Sequence, residues 1–373
     1  MKRILIIAGE ASGDLHGSTL MHQMKLIEPD LSFRGIGGSL MIKEGLDALR
    51  HIREMNFMGF AEVIRHLPLI RRTLHSLESL IDTWKPHLAI LIDYPGFNLK
   101  LAPIIKKRGI PLMYYISPQL WAWHSSRVNL IRRYVDRMVV LFEFEKEFYR
   151  TKGVEADFVG HPLLDIVHPS ENRAVFLKKI DSDTIPLIGL LPGSRLQEIN
   201  RILPVMTESI AIVREKIGPV KAVLGCAPDI DESRYIPFIK GTGILPLVGK
   251  TYDIMAYSDA LMVTSGTATL EAGISGTPMV IVYRTSPLTF QIGKMLVKIP
   301  NIGLINIVAG SRIVPELCQD EATPEKISEH IVNYLTDRVL RDSVKQMLNA
   351  AKNNLGFPGA AQRAASIAME MTL

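Results

Sequence analysis

Leu191-Pro192-Gly193-Ser194-Arg195, with Glu198 just beyond it, decides the fold of this chain. The apolar run from Ile185 to Leu191 reads as a buried strand, and Glu198 to Ile217 carries apolar residues at helical spacing. A strand, a glycine turn and a helix N-terminus together make an anion cradle. Free backbone N–H groups and the positive end of the helix dipole converge on one place there. Arg195 adds a planar fork suited to a phosphate. The stretch lies in the middle of the chain, so it opens a second nucleotide-type domain rather than the first.

On both sides of it, short apolar runs alternate with helical patterns. Upstream, Ile4–Ala8, His87–Ile92, Pro111–Ile116, Arg137–Phe142 and Ala156–Val159 read as strands. The second series is Pro186–Leu191, Lys221–Leu224, Gly243–Leu247, Ala260–Thr264 and Pro278–Tyr283. Strands separated by helices imply parallel βαβ units buried on both faces, hence an α/β chain. The polar stretch Pro169 to Thr184 reads as a linker with one short helix. The expected division is 1–165, 166–342, and C-terminal helices 343–373 that pack back on the first domain or swap in a dimer.

Composition agrees with that class. The chain has 373 residues, 47% hydrophobic and 22% charged, which is ample for two cores. Its two cysteines, Cys226 and Cys318, have no metal-type spacing, which points to a reducing compartment and away from a structural zinc site. The net charge of +5 suits anionic lipid, a nucleotide or nucleic acid. Mean hydropathy is +0.17, yet no run reaches the roughly 18–20 apolar residues of a membrane span. The apolar start, Ile4 to Ala8, is too short before Glu10 for a signal peptide and reads as the first strand.

Four loops at strand ends carry polar chemistry. Gly9-Glu10-Ala11-Ser12-Gly13-Asp14 is a glycine turn into a helix, but its carboxylates repel a phosphate, which favours a sugar or acceptor contact; Asp14 could equally be an N-terminal helix charge. Asp93 ends a very apolar strand, where ligands of open α/β sheets bind. Half desolvated by Tyr94 and Phe97, it could accept a proton; capping the next helix is the alternative, and spacing alone leaves both open. Ser117-Pro118-Gln119-Leu120-Trp121-Ala122-Trp123-His124 sets two tryptophans beside a polar loop, suited to a sugar ring or acyl chain, or to wedge packing. Ser265-Gly266-Thr267-Ala268-Thr269-Leu270-Glu271 makes a second anion cradle, with Glu271 placed to accept from ribose hydroxyls or to serve in a capping box.

Two further features are weighed the same way. Phe57-Met58-Gly59-Phe60 leads into a stripe at Val63, Leu67, Ile70, Leu74, Leu77 and Ile81 that reads as a core-facing helix. The surplus Phe57, Met58, Phe60 and Leu69, with Arg65, Arg71 and Arg72, also fits an interfacial patch on an anionic membrane. The D-x-D pairs Asp181–Asp183 and Asp229–Asp231 lie away from the cradles and read as solvated loop charges. No metal or cofactor is expected. Nucleic-acid binding is disfavoured because basic residues are scattered and not interleaved with aromatics.

These motifs, in order, resemble the lipid-A-disaccharide synthase family of GT-B glycosyltransferases. The resemblance runs through Gly9 to Asp14, Met58-Gly59 with Glu62-Val63, Asp93 with Phe97-Asn98, Ser117-Pro118 with Trp121-Ala122-Trp123, and Phe144-Glu145-Lys146. It continues through Gly160-His161, Leu191 to Arg195, Ser265 to Ala268 with Leu270-Glu271, Tyr283-Arg284, and Asn306 with Ala309-Gly310. It weakens beyond about residue 345.

The resemblance implies two Rossmann-like parallel-sheet domains facing across a cleft. It implies an inverting transfer from UDP-2,3-diacylglucosamine to 2,3-diacylglucosamine 1-phosphate (lipid X), giving a β-1,6 disaccharide and UDP. In that scheme Asp93 is the base. Gly193, Ser194, Arg195, Ser265, Gly266 and Thr267 hold the diphosphate, Glu271 the ribose, and Arg284 and Asn306 line the donor side. Glu10, Ser12, Gly13, Asp14, Ser117 and Trp121 meet the acceptor sugar. Phe57, Met58, Phe60, Leu67, Leu69 and Ile70 meet acyl chains or the anionic inner membrane. Members are peripheral on the cytoplasmic face, and a homodimer is compatible. The rival readings are another GT-B enzyme, such as a lipid-linked GlcNAc transferase or a UDP-GlcNAc 2-epimerase, and a non-catalytic nucleotide- or lipid-binding adaptor.

Overall fold

Runs such as Leu88-Ala89-Ile90-Leu91-Ile92 and Leu187-Ile188-Gly189-Leu190-Leu191 are buried at every position, which only a sheet covered on both faces provides. The computed structural model describes residues 1–55, 66–122, 125–182, 184–286, 290 and 300–373. The first sheet contains β1 (Lys2–Ala8), β2 (Leu31–Gly37), β3 (Leu46–His51), β4 (Leu88–Ile92), β5 (Leu112–Tyr115), β6 (Arg137–Val140) and β7 (Ala156–Phe158). The second contains β8 (Leu187–Leu191), β9 (Lys221–Cys226), β10 (Ile244–Val248), β11 (Ala260–Thr264), β12 (Met279–Tyr283) and β13 (Glu316–Cys318). All pairings are parallel.

The two sheets share one plan. Strand order is β3-β2-β1-β4-β5-β6-β7 in the first and β10-β9-β8-β11-β12-β13 in the second. In each, the chain builds outward from its first strand, then crosses to that strand's other side. The crossing points are β1/β4 and β8/β11, and at such a switch the loops after the strands diverge and leave a crevice. Strands β2, β3 and β13 were not anticipated from the sequence.

The chain divides into two compact units, residues 1–162 with 356–373, and residues 163–355. In the first, apolar side chains pack on both faces of the sheet, one face including Leu77, Phe97 and Tyr114, the other Met21, Phe33 and Tyr115. The expected C-terminal pair separates. Helix Arg338–Asn353 belongs to the second unit, packing on helices Thr267–Ser275, Leu304–Ala309 and Pro324–Thr336. Helix Ala360–Glu370 lies on the first unit against helix Ala11–Ile27, because Ala364, Ala365 and Ala368 present a small apolar face to it. Lys2 Nζ donates to Thr372 Oγ1 at 3.1 Å, and Arg363 Nε to the Val159 carbonyl at 2.8 Å. Among the described residues, no helix is long and apolar enough to cross a membrane.

Candidate active site

The β8/β11 switch of the second unit is built from glycine turns. Gly193 has φ +112°, a left-handed conformation that favours glycine, and a Cβ there would lie 2.3 Å from Glu198 Oε2. The turn therefore wraps the Glu198 carboxylate. Oε2 accepts from the Arg195 backbone N–H at 3.3 Å, and Oε1 pairs with Arg195 Nη1 at 3.0 Å. Arg195 is the N-cap of helix Leu196–Ile217 and is largely exposed. After β11, Gly266 (φ +150°) is the N-cap of helix Thr267–Ser275, with no side-chain cap on the helix amides. These two helix starts line a cavity of about 430 Å³ together with Ser194, Ser265, Glu198 and Glu271.

Glu271 is half-buried and accepts from the Tyr252 hydroxyl at 3.1 Å; burial raises its pKa, against that hydrogen bond. It caps no helix start, so the capping-box alternative fails. It also lines a second cavity of about 360 Å³ with His168, Ser170 and Asp253. Two expected donor residues are elsewhere. Asn306 is fully buried and spent internally: Nδ2 donates to the Val314 carbonyl and Glu316 Oε1, and Oδ1 accepts from the amides of Ile313 and Val314. Arg284 donates to the Ala322 carbonyl at 2.8 Å and lines a different surface depression, with Arg201 and Gln319.

The β1/β4 switch of the first unit is built from side chains. Asp93 and Tyr94 follow β4 with φ values of 42° and 47°. Tyr94 is the N-cap of helix Pro95–Lys107, which has no side-chain cap, so the capping alternative for Asp93 also fails. Burial, then the charge of Glu10, push the Asp93 carboxyl up to about 7. A carboxylate with that value is half deprotonated near neutrality and can take a proton from a substrate hydroxyl. Glu10 is exposed at the N-cap of helix Ala11–Ile27 without a side-chain cap bond, and Ser12 is exposed beside it.

Asp14 and Gly13 are buried there, which corrects the expectation of a sugar contact. The Asp14 oxygens accept from the amides of Gly38, Met41 and Leu40 at 2.7, 3.0 and 3.1 Å, so this carboxylate anchors the turn after β2. Ser117 is likewise buried, donating to the Pro118 carbonyl and sharing a hydrogen bond with the Tyr149 hydroxyl. Trp121 stays partly exposed. Its Nε1 donates to Glu145 at 3.2 Å, and its ring meets Phe144 edge-on. Glu145 is buried and also accepts from the amides of Leu141 and Phe142; burial pushes it up to about 7.

Phe57, Met58, Phe60, Trp123 and His124 lie outside the described residues. Of the rest of the apolar patch, helix Leu67–Trp84 starts at Leu67, with Leu67 and Leu69 half-buried. Ile70 is core: it is 7% exposed and packs with Leu77 and Ile81. The sequence alone gives no role to the side chains of Tyr252, Tyr114 or Glu198. A tyrosine opening a helix after a strand was the available signal for the first; nothing marked the buried hydroxyl of Tyr114.

A family model described as lipid-A-disaccharide synthetase matches residues 4–370. The lipid-A-disaccharide synthase of Geobacter metallireducens is 44% identical over 99% of this chain and 97% of its own length. That of Myxococcus xanthus is 40% identical over 99% and 97%. Among solved structures, the UDP-GlcNAc 2-epimerase of Neisseria meningitidis bound to UDP-GlcNAc aligns with a TM-score of 0.63 at 11% identity, over 99% of this chain and all of that one. The calicheamicin glycosyltransferase aligns with a TM-score of 0.62 at 16% identity, over 100% and 98%. These two carry the fold alone: paired parallel-sheet α/β units of the GT-B kind. The relatives carry more, and by them the chain belongs to the lipid-A-disaccharide synthase family of hexosyltransferases.

Proposed function

We propose that the chain joins UDP-2,3-diacylglucosamine to 2,3-diacylglucosamine 1-phosphate, releasing UDP. The observation that carries this reading is the second unit's cavity, where two helix N-termini and Arg195 converge beside Glu271. Unpaired amides and a guanidinium suit a diphosphate, and a half-buried carboxylate suits a ribose diol. Asp93 takes the proton from the acceptor 6-hydroxyl as O6 bonds to the donor C1. The C1–O bond to the diphosphate breaks with its electron pair leaving on UDP. A single displacement turns the α-linked donor into a β-linked product. Arg195 and the helix N-termini offset the charge gathering on the leaving group.

Glu10, Ser12 and Trp121 contact the acceptor in this reading. Phe57, Met58, Phe60, Leu67 and Leu69 contact acyl chains or the anionic cytoplasmic face of the inner membrane, to which the chain binds peripherally.

The test is mass spectrometry of products after incubating the protein with both lipids. Equal amounts of UDP and tetraacyl disaccharide 1-phosphate are expected. Donor hydrolysis or epimerisation without a disaccharide overturns the reading.

A further inference from the structure

Backbone strain in the first unit gathers at the C-terminal ends of two neighbouring strands. Asp93 and Tyr94 follow β4 at φ 42° and 47°, and Ile116 follows β5 at φ 68°. Aspartate visits this region, but tyrosine and above all β-branched isoleucine rarely do. Such a conformation persists only where its surroundings over-determine it, and it concentrates at functional sites.

The surroundings of Asp93 do so through its carbonyl. Tyr114 Oη donates to the Asp93 carbonyl at 2.6 Å. Asn98 Nδ2 donates to the same oxygen at 2.7 Å and to the Ile92 carbonyl at 3.1 Å. Both side chains are fully buried. Asn98 Oδ1 is left without a partner, so this amide is kept for its donors at the expense of its acceptor. Tyr94 is held as well. Its hydroxyl donates to the Met55 carbonyl at 2.8 Å, and its ring fills the space over Gly9, where a Cβ would come within 2.2 Å of it.

We propose that Tyr114 and Asn98 are positioning residues for Asp93, pinning its carbonyl so that the left-handed turn holds the carboxyl in its half-buried place beside Glu10. The inference rests on the reading of Asp93 as the base. The groups acting on that carboxyl are Glu10, whose charge raises it, and the Tyr94 backbone amide, which lowers it; the Asp93 charge in turn raises Tyr114, and Arg127 lowers it. In place, it is driven up to about 7 by burial and Glu10. A relaxed turn moves the carboxyl into water and returns it toward the ordinary carboxylate range.

Tyr114→Phe keeps the ring and deletes one donor; Asn98→Ala deletes the other two hydrogen bonds. Each is expected to lower kcat roughly 10- to 100-fold, since a displacement of about an ångström costs that much. The KM for the UDP-sugar stays within about twofold, because the donor pocket is on the other unit. The acid limb of the kcat–pH profile moves below its wild-type position. Thermal denaturation is measured alongside, because a smaller folded fraction lowers kcat without moving the limb. A wild-type rate and limb in both variants, or a lower rate with an unmoved limb, overturns the inference. Asp93→Asn in the same assay separates the two claims. If it retains turnover, the base reading fails and the inference with it; if it is dead while both variants behave as wild type, the inference alone fails.

Discussion

The β1/β4 switch of the first unit and the β8/β11 switch of the second have the same strand topology and opposite chemistry. In the second, the turns are glycines, Gly193 and Gly266, and what they expose is backbone: two helix starts and an arginine. In the first, the turn after β4 is made by Asp93 and Tyr94, forced into the left-handed region by buried donors, and what it exposes is a carboxyl pushed up to about 7. One crevice is suited to hold an anion and the other to remove a proton. The difference lies in what fills the turn, since glycine lets a ligand reach the amides and a strained side chain presents itself.

The sharpest way to break that contrast is Asp93→Asn. It keeps the shape and deletes the base, so turnover should fall about 1,000-fold, within the range that general bases contribute. UDP affinity, a property of the other crevice, should not change. Turnover within tenfold of wild type would remove Asp93 from the chemistry. The wild type offers a companion test. Because only the deprotonated carboxylate accepts the proton, and its pKa is raised to about 7, kcat should rise tenfold per pH unit below about 7 and level off above it. A flat profile from pH 5 to 8 would place the titrating group elsewhere.

Arg195→Ala probes the second crevice. Loss of a charge on the leaving diphosphate should reduce kcat about 10- to 100-fold and weaken UDP about tenfold. The acid limb should stay where it is, because Arg195 is not among the groups that shift Asp93. Isothermal titration and a pH–rate series check the two halves separately. Unchanged UDP affinity together with an unchanged rate would take Arg195 out of the donor site.

The contrast was partly legible in the sequence, for physical reasons. Strands buried on both faces are continuous apolar runs, so β1, β4, β8 and β11 stood out, and with them the loops at both switch points. Toward one edge β2 and β3 are partly exposed and mixed in polarity, as in Leu46-Asp47-Ala48-Leu49-Arg50-His51, and at the other β13 is only three residues long and opens on Glu316, so none carries such a signal. Residue type showed where polar groups gather but not whom they meet. Asp14 stays open between a sugar contact and a helix charge in the sequence because its three amide partners lie 24 to 27 residues away. Asn306 looked available because its partners sit across a loop, at positions 313 to 316. The left-handed turn at Asp93 was invisible, since no glycine or asparagine marks it. The buried donors of Tyr114 and Asn98, with the Tyr94 hydroxyl on the Met55 carbonyl, make it tenable.

A smaller effect is expected at Tyr252. Its hydroxyl donates to Glu271, so Tyr252→Phe leaves the carboxylate without that partner but still in place. The KM for the UDP-sugar should rise roughly two- to fivefold, the scale of one hydrogen bond, with kcat nearly constant. A change in kcat without a change in KM would mean that Glu271 acts in the transition state rather than in holding the donor.

The smallest effect bears on the anion cradle itself. The Glu198 carboxylate lies inside the Gly193 turn and pairs with Arg195 at 3.0 Å, so an anion of the chain's own already occupies the guanidinium. Arg195 is 64% exposed, and a pair this open is worth about 0–1 kcal/mol. A diphosphate can therefore displace it at little cost. Glu198→Gln removes the competing charge but keeps an oxygen able to accept from the Arg195 amide. UDP should bind about two- to fourfold tighter at low salt, with the gain shrinking as salt screens the pair. Weaker binding at every ionic strength would show that the carboxylate serves the cradle chiefly by bracing the Gly193 turn. The charge that counts in this crevice would then be the backbone's, which is the contrast with Asp93 in its purest form.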